Sequence, residues 1–224
     1  MNAVTPAAFS AIRFACRMRA VGEPVKMGRN LPTLLALAGT LAAGPAGAAD
    51  DLGRWNAGAY SYSDERGGFS IVGISGTGTL EDPIVLVQEL HSASPVTLVV
   101  RAIKPIRPRF MEGDFANGFI YLQLVTLNNS GLPWLEFEFE LQEIEGEPST
   151  FGDGLSFDQR KTDSDTISAD LFTHYSRDYE PYDRLLFQDG HADPLETVSF
   201  RFLVTDFTPR CCYFIVQDPS IPAS

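Results

Sequence analysis

The sequence predicts an all-β protein: an antiparallel β-sandwich, of jelly-roll or immunoglobulin-like type, with about eight to ten strands and little helix. Three observations carry this expectation. Short apolar runs of strand length alternate with clusters of Gly, Pro, Asn and Asp. Almost nothing shows the 3.6-residue apolar period of an amphipathic helix, and no strand–helix–strand rhythm points to a parallel sheet. The stretch from Phe119 to Leu141 is built largely from period-two alternation.

The N-terminal part reads differently. Residues 27–49, "MGRNLPTLLALAGTLAAGPAGAA", place Arg29, with Lys26 just upstream, ahead of an apolar run from Leu31 to Gly44. Ala46-Gly47-Ala48 then supplies small residues at the positions a signal peptidase reads. The apolar run is about 14 residues, short of the roughly 20 that span a bilayer. The expected organisation is therefore an upstream extension at 1–26 ahead of the true start, a signal peptide at 27–48, and one domain at 49–224. The expected localisation is periplasmic or secreted, with no membrane span in the mature chain. Removing 1–48 takes away five basic residues and one acid, leaving 12 basic against 28 acidic residues, a net of −16. Such a surface repels nucleic acid and anionic membranes.

The strands follow in order. "AYSYS" (59–63) and "FSIVGIS" (69–75) flank Asp64-Glu65-Arg66-Gly67-Gly68, a hairpin-like break. "GTGTLEDPIVLVQEL" (76–90) raises the question of a phosphate cradle. Such a cradle needs the glycine loop to open a helix. Here Pro83 disfavours helix at Asp82, and the β-branched Ile84, Val85 and Val87 favour a strand, so the glycines are expected to form a turn. "PVTLVVRAI" (95–103) comes next, then a Pro-rich basic loop at 104–118. Segment 145–184 is polar and acidic, with "LSFD" (155–158) and "DLFTHYS" (170–176) as its strand candidates. "LLFQ" (185–188), "TVSFRFLVTDF" (197–207) and "CCYFIVQ" (211–217) close the chain.

The region 119–141 yields a register. A loop at 128–131 pairs Leu124 with Leu135, Leu122 with Phe137 and Ile120 with Phe139, so apolar faces match. The other face then carries Glu136, Glu138 and Glu140 opposite Gln123, Tyr121 and Phe119, with Trp134 opposite Val125. Aromatic rings beside hydrogen-bonding acids form a binding platform of the kind that meets glycans. The bland alternative is that a loop covers the rings and its basic residues neutralise the acids. The glutamates are not a catalytic dyad: alternate strand residues lie about 6.8 Å apart but point the same way, whereas glycosidase acids flank the bond.

Other constellations are weaker. Asp153, Asp158, Asp163 and Asp165, with Asp189 and Asp193, are candidate calcium ligands, although Asp-rich loops are usually turns and EF-hand spacing is absent. His91, His174 and His191 lie near hydroxyls or acids, but no G-x-S-x-G is present. Cys211 and Cys212 are adjacent, which makes a disulfide between them awkward. In a strand they would face opposite ways. Asn128-Asn129-Ser130 fits a glycosylation sequon and, more simply, a turn. The expected function is a non-catalytic binding module for a glycan or protein partner. A calcium-stabilised structural domain and an exported hydrolase are the alternatives.

Overall fold

The computed structural model describes residues 47–107, 115–160, 165–178 and 181–220. The chain divides into two units, Met1–Leu41 and Ala42–Ser224, of which the first lies outside the described residues. So do the extension at 1–26 and the expected leader at 27–48, apart from Gly47 and Ala48. The Gly47 N–H donates to the Ile74 carbonyl at 2.9 Å.

Thirteen strands form among the described residues: β1 (Trp55–Ala57), β2 (Tyr60–Ser63), β3 (Phe69–Ser75), β4 (Ile84–Leu90), β5 (Val96–Ala102), β6 (Phe119–Asn128), β7 (Glu136–Gln142), β8 (Leu155–Phe157), β9 (Ser168–Ala169), β10 (Phe172–Asp178), β11 (Arg184–Gly190), β12 (Thr197–Asp206) and β13 (Cys212–Ser220). They build two sheets. A seven-stranded sheet runs β1-β2-β5-β13-β7-β11-β10; a six-stranded sheet runs β3-β4-β6-β12-β8, with β9 also on β12. The all-β sandwich is therefore the observed architecture, with more strands than the eight to ten expected. The unexpected ones, β1 and β9, have three residues or fewer, while the expected "LSFD" forms the short β8. One 3₁₀ turn, Phe151–Asp153, is the helical element present among the described residues.

The alternation does what its period requires. Along β6 every second residue is buried, and β7 follows the same rule up to Leu141. Ile120, Leu122 and Leu124 meet the core from one side, and Phe137, Phe139 and Leu141 from the other. Phe139 lies 4.9 Å from Phe202 and 5.1 Å from Phe200, ring centre to ring centre, and Phe137 lies 4.6 Å from Phe200. These contacts stitch β7 to β12 across the interior.

Three expectations about pairing are corrected. First, β6 and β7 are not a hairpin. β6 pairs with β12 and β4, whereas β7 pairs with β11 and β13 in the other sheet. Residues 129–135 carry the chain across the sandwich. The apolar faces do meet, but as opposing layers. Second, not all pairs are antiparallel: β4 and β6 run parallel. Parallel neighbours need a crossover connection, and here β5, in the opposite sheet, supplies it in place of a helix. For the same reason β2 and β3 are not a hairpin: they lie in different sheets.

The glycine loop between β3 and β4 closes on itself. The N–H groups of Thr77, Gly78 and Thr79 all donate to the Asp82 carbonyl, at 3.1, 2.9 and 3.2 Å. Gly76 has φ +94°, and a Cβ there would sit 1.9 Å from the Pro83 carbonyl oxygen. The amides a phosphate would need are spent within the loop, so it is a strand-launching turn.

Candidate functional site

Separating β6 from β7 takes the expected acid–aromatic platform apart. Tyr121 and Gln123 face outward from the six-stranded sheet, and Glu136, Glu138 and Glu140 face outward from the seven-stranded sheet, on the far side of the sandwich. Phe119 is half-buried, with its ring edge-on to Phe207 at 5.6 Å. Trp134 is not on a surface at all: it is fully buried, packs on Phe137 at 5.2 Å and donates its indole N–H to Ser130 at 3.2 Å. Strand geometry begins only at Glu136, so the period-two count does not extend back to Trp134. Leu135, expected inside, is 44% exposed for the same reason.

The glutamates sit in a conventional ladder. Arg184, on the neighbouring β11, reaches Glu140 at 3.2 Å and Glu138 at 3.6 Å. Asp218 stands beside Glu138 on β13. Burial pushes the Glu138 carboxyl above the ordinary range; Arg184 opposes this, while Asp218, Glu140 and Asp178 reinforce it. Asp218 is raised as well, by burial and by Glu140.

Tyr121 and Gln123 belong to a different constellation. They lie on the floor of a cleft of about 760 Å³ on the outer face of the six-stranded sheet. Register builds this floor. Val85 on β4, Gln123 on β6, Arg201 on β12 and Ser168 on β9 form one cross-strand row. Leu80, Glu81 and Pro83 of the β3–β4 loop form one wall; Arg160, Asp165 and Thr166 form the other. A second depression of about 370 Å³, lined by Ala169, Asp170 and Ser199, shares Gln123, Ser168 and Arg201 with the cleft.

The polar groups of the cleft are held in place. Arg160 Nη2 donates to the Tyr121 hydroxyl at 3.1 Å, and its guanidinium carbon lies 5.7 Å from that ring's centre. Arg160 Nε donates to the buried Asp158 carboxylate at 3.0 Å, and Thr166 Oγ1 donates to the same carboxylate at 3.2 Å. Gln123 Nε2 donates to Ser199 Oγ at 3.0 Å, and the Ser199 N–H donates to Asp170 at 2.9 Å. Arg201 stands exposed in the middle, with no ion pair among the described residues. Arg160 and Arg201 face Glu81, Asp165 and the buried Asp158, so among the described residues the cleft carries donors and acceptors with little net charge. Arg201 was visible as the outward residue between Phe200 and Phe202. Arg160 and Ser168 had no sequence signal, because only the fold brings them to the cleft beside Tyr121 and Gln123.

Among the described residues, the other candidates do not come together in one group. Asp153 accepts from the Thr150 N–H at 3.0 Å, Asp158 is committed to Arg160, and Asp189 adopts φ +55° near the end of β11. Asp193 begins the turn that leads to Glu196, Asp165 lines the cleft, and Asp163 lies outside the described residues. No group of three or more metal-ligating side chains occurs among the described residues. His91 Nε2 lies 3.0 Å from Ser70 Oγ, but both lie at an exposed sheet edge away from the cleft, and no carboxylate among the described residues orients the ring. His174 and His191 are exposed.

Comparison of the chain with protein-family models, with curated proteins and with solved structures found no match.

Proposed function

We propose that this is an exported, non-catalytic binding module that holds a hydroxyl-rich, uncharged ligand, a stretch of glycan chain, in the cleft over β6 and β12. The observation that carries this reading is the placement of the Tyr121 ring beside the Gln123 amide, the Ser168 hydroxyl and the Arg201 guanidinium in one open cleft of about 760 Å³. A ring gives apolar area to the C–H face of a sugar, and fixed polar groups around it set orientation through hydroxyls. Near-balanced charge in the cleft favours a neutral chain over an anionic one, and the strongly acidic surface of the mature protein works in the same direction.

Affinity electrophoresis against a panel of neutral soluble polysaccharides tests this. At least one is expected to retard the protein, and Tyr121→Ala and Arg201→Ala are expected to abolish the retardation. If no polysaccharide retards it, or if both variants are retarded like the parent, the reading is wrong.

A further inference from the structure

The adjacent thiols do not behave as a simple strand dipeptide. Cys211 lies in a bend and Cys212 opens β13, so the strict alternation of a strand does not apply between them. Their sulfurs lie 3.5 Å apart, with Cys211 exposed and Cys212 half-buried; both are free thiols. The expectation that one points in and the other out is thereby corrected. The Ala102 N–H donates to the Cys211 carbonyl at 2.9 Å, which ties the bend to β5.

This geometry is poor for a disulfide and good for a bridge. Consecutive Cα atoms across a trans peptide are about 3.8 Å apart, below the roughly 4.4–6.8 Å that disulfides span. Closing the sulfurs to about 2.05 Å would distort the intervening peptide. An atom bonded to both sulfurs at about 2.3 Å, the length of a zinc–thiolate bond, would instead see them, 3.5 Å apart, at an angle of about 100°. That angle suits a pyramidal or tetrahedral centre and excludes a linear one. Two thiols with no third metal-ligating side chain grouped with them among the described residues suit a centre that brings its own remaining substituent.

We propose that Cys211 and Cys212 form a chelating site for a trivalent arsenical, R–As, held by both sulfurs. With phenylarsine oxide the step balances without an oxidant. Two As–S bonds form, the As–O bond is lost, the two thiol protons leave with the oxygen as water, and arsenic stays trivalent. The site is independent of the cleft over β6.

The experiment uses the full chain, reduced with a phosphine, with Cys16→Ser as background so that the third cysteine does not count. Intact-mass measurement with phenylarsine oxide is expected to show one adduct per chain, and proteolysis is expected to place it on the peptide that carries both cysteines. Cys211→Ser and Cys212→Ser should each lose it. Because the folded chain holds the sulfurs ready, the adduct should raise the melting temperature. No adduct on the parent, an adduct retained by either serine variant, or an unchanged or lower melting temperature would overturn the proposal. So would rapid conversion by glutathione disulfide to a form lighter by two hydrogens, the internal disulfide. The peptide mapping decides the matter even if a serine variant does not fold.

Discussion

Gln88 on β4 and Gln217 on β13 exchange two amide hydrogen bonds across the interior, at 2.5 and 3.2 Å, and Gln88 also donates to Thr126 at 2.9 Å. All three side chains are fully buried. The pair joins the two sheets at a point where every other inward residue of β4 is apolar. A buried amide left without its partner costs about 1–3 kcal/mol, whereas replacing both partners with apolar groups is close to neutral. Gln217→Leu alone should therefore destabilise by about 1–3 kcal/mol, and Gln88→Leu with Gln217→Leu by less than the sum of the single changes. Denaturant unfolding of the four proteins in the cycle measures the coupling. Strict additivity would show that the amides do not act as a pair.

Arg160 has two duties, binding the Tyr121 hydroxyl and neutralising buried Asp158. Arg160→Ala should cost about 1–3 kcal/mol, because it strips a charged partner from a carboxylate with no exposure. Arg201→Ala, with no ion pair to lose, should stay within about 0.5 kcal/mol of the parent. Chemical unfolding of the two variants side by side checks the contrast; equal losses would contradict the assignment.

Gly76→Ala forces a Cβ against the Pro83 carbonyl at a φ of +94°. The expected loss is about 2 kcal/mol or more, since strain and collision add. The β3–β4 loop is also a wall of the cleft, so ligand binding should weaken in the same variant. A melting curve paired with a binding isotherm reads both effects, and a variant that melts like the parent would refute the described turn.

Two carboxylates should respond to pH with opposite sign. Glu138 titrates above the ordinary range because burial outweighs Arg184. Between the unfolded and the raised folded value, the folded form therefore holds a proton that the unfolded chain has lost. The stability from Glu138 is fully present below about pH 4 and is lost as pH rises through the raised folded value. Glu65 is held low, first by its hydrogen bond from Arg101 at 2.6 Å. Its contribution is present above the ordinary range and lost as pH falls through the depressed value. Glu138→Gln should raise the melting temperature at neutral pH, and Glu65→Gln should lower it; both differences should vanish in acid. Melting temperatures across that range check the signs.

Much of the layer structure was legible. Alternation in "FIYLQLVTL" and "EFEFEL" says which side chains enter the core, and they do. Partners were not legible, because a leucine facing the interior matches an apolar residue beside it in the same sheet as well as one above it in the other. The register joining Leu124 to Leu135 satisfied the pattern and still chose the wrong sheet. Trp134 escapes the pattern because strand geometry begins only at Glu136, so a two-residue period does not reach back to it. The cleft is half legible: Tyr121 and Gln123 stand on the outward face that alternation marks, but Arg160 and Ser168 join them only in the folded chain, which local sequence does not encode.

The central claim is that the ligand lies on the outer face of the six-stranded sheet. Backbone amide NMR of the isotopically labelled protein, titrated with whichever neutral oligosaccharide retards it most, tests this directly. The predicted result is a set of shifts confined to Leu80, Tyr121, Gln123, Ser168 and Arg201. Shifts clustered around Glu138, Asp218 and Arg184 on the opposite sheet, or no shifts at all, would contradict it.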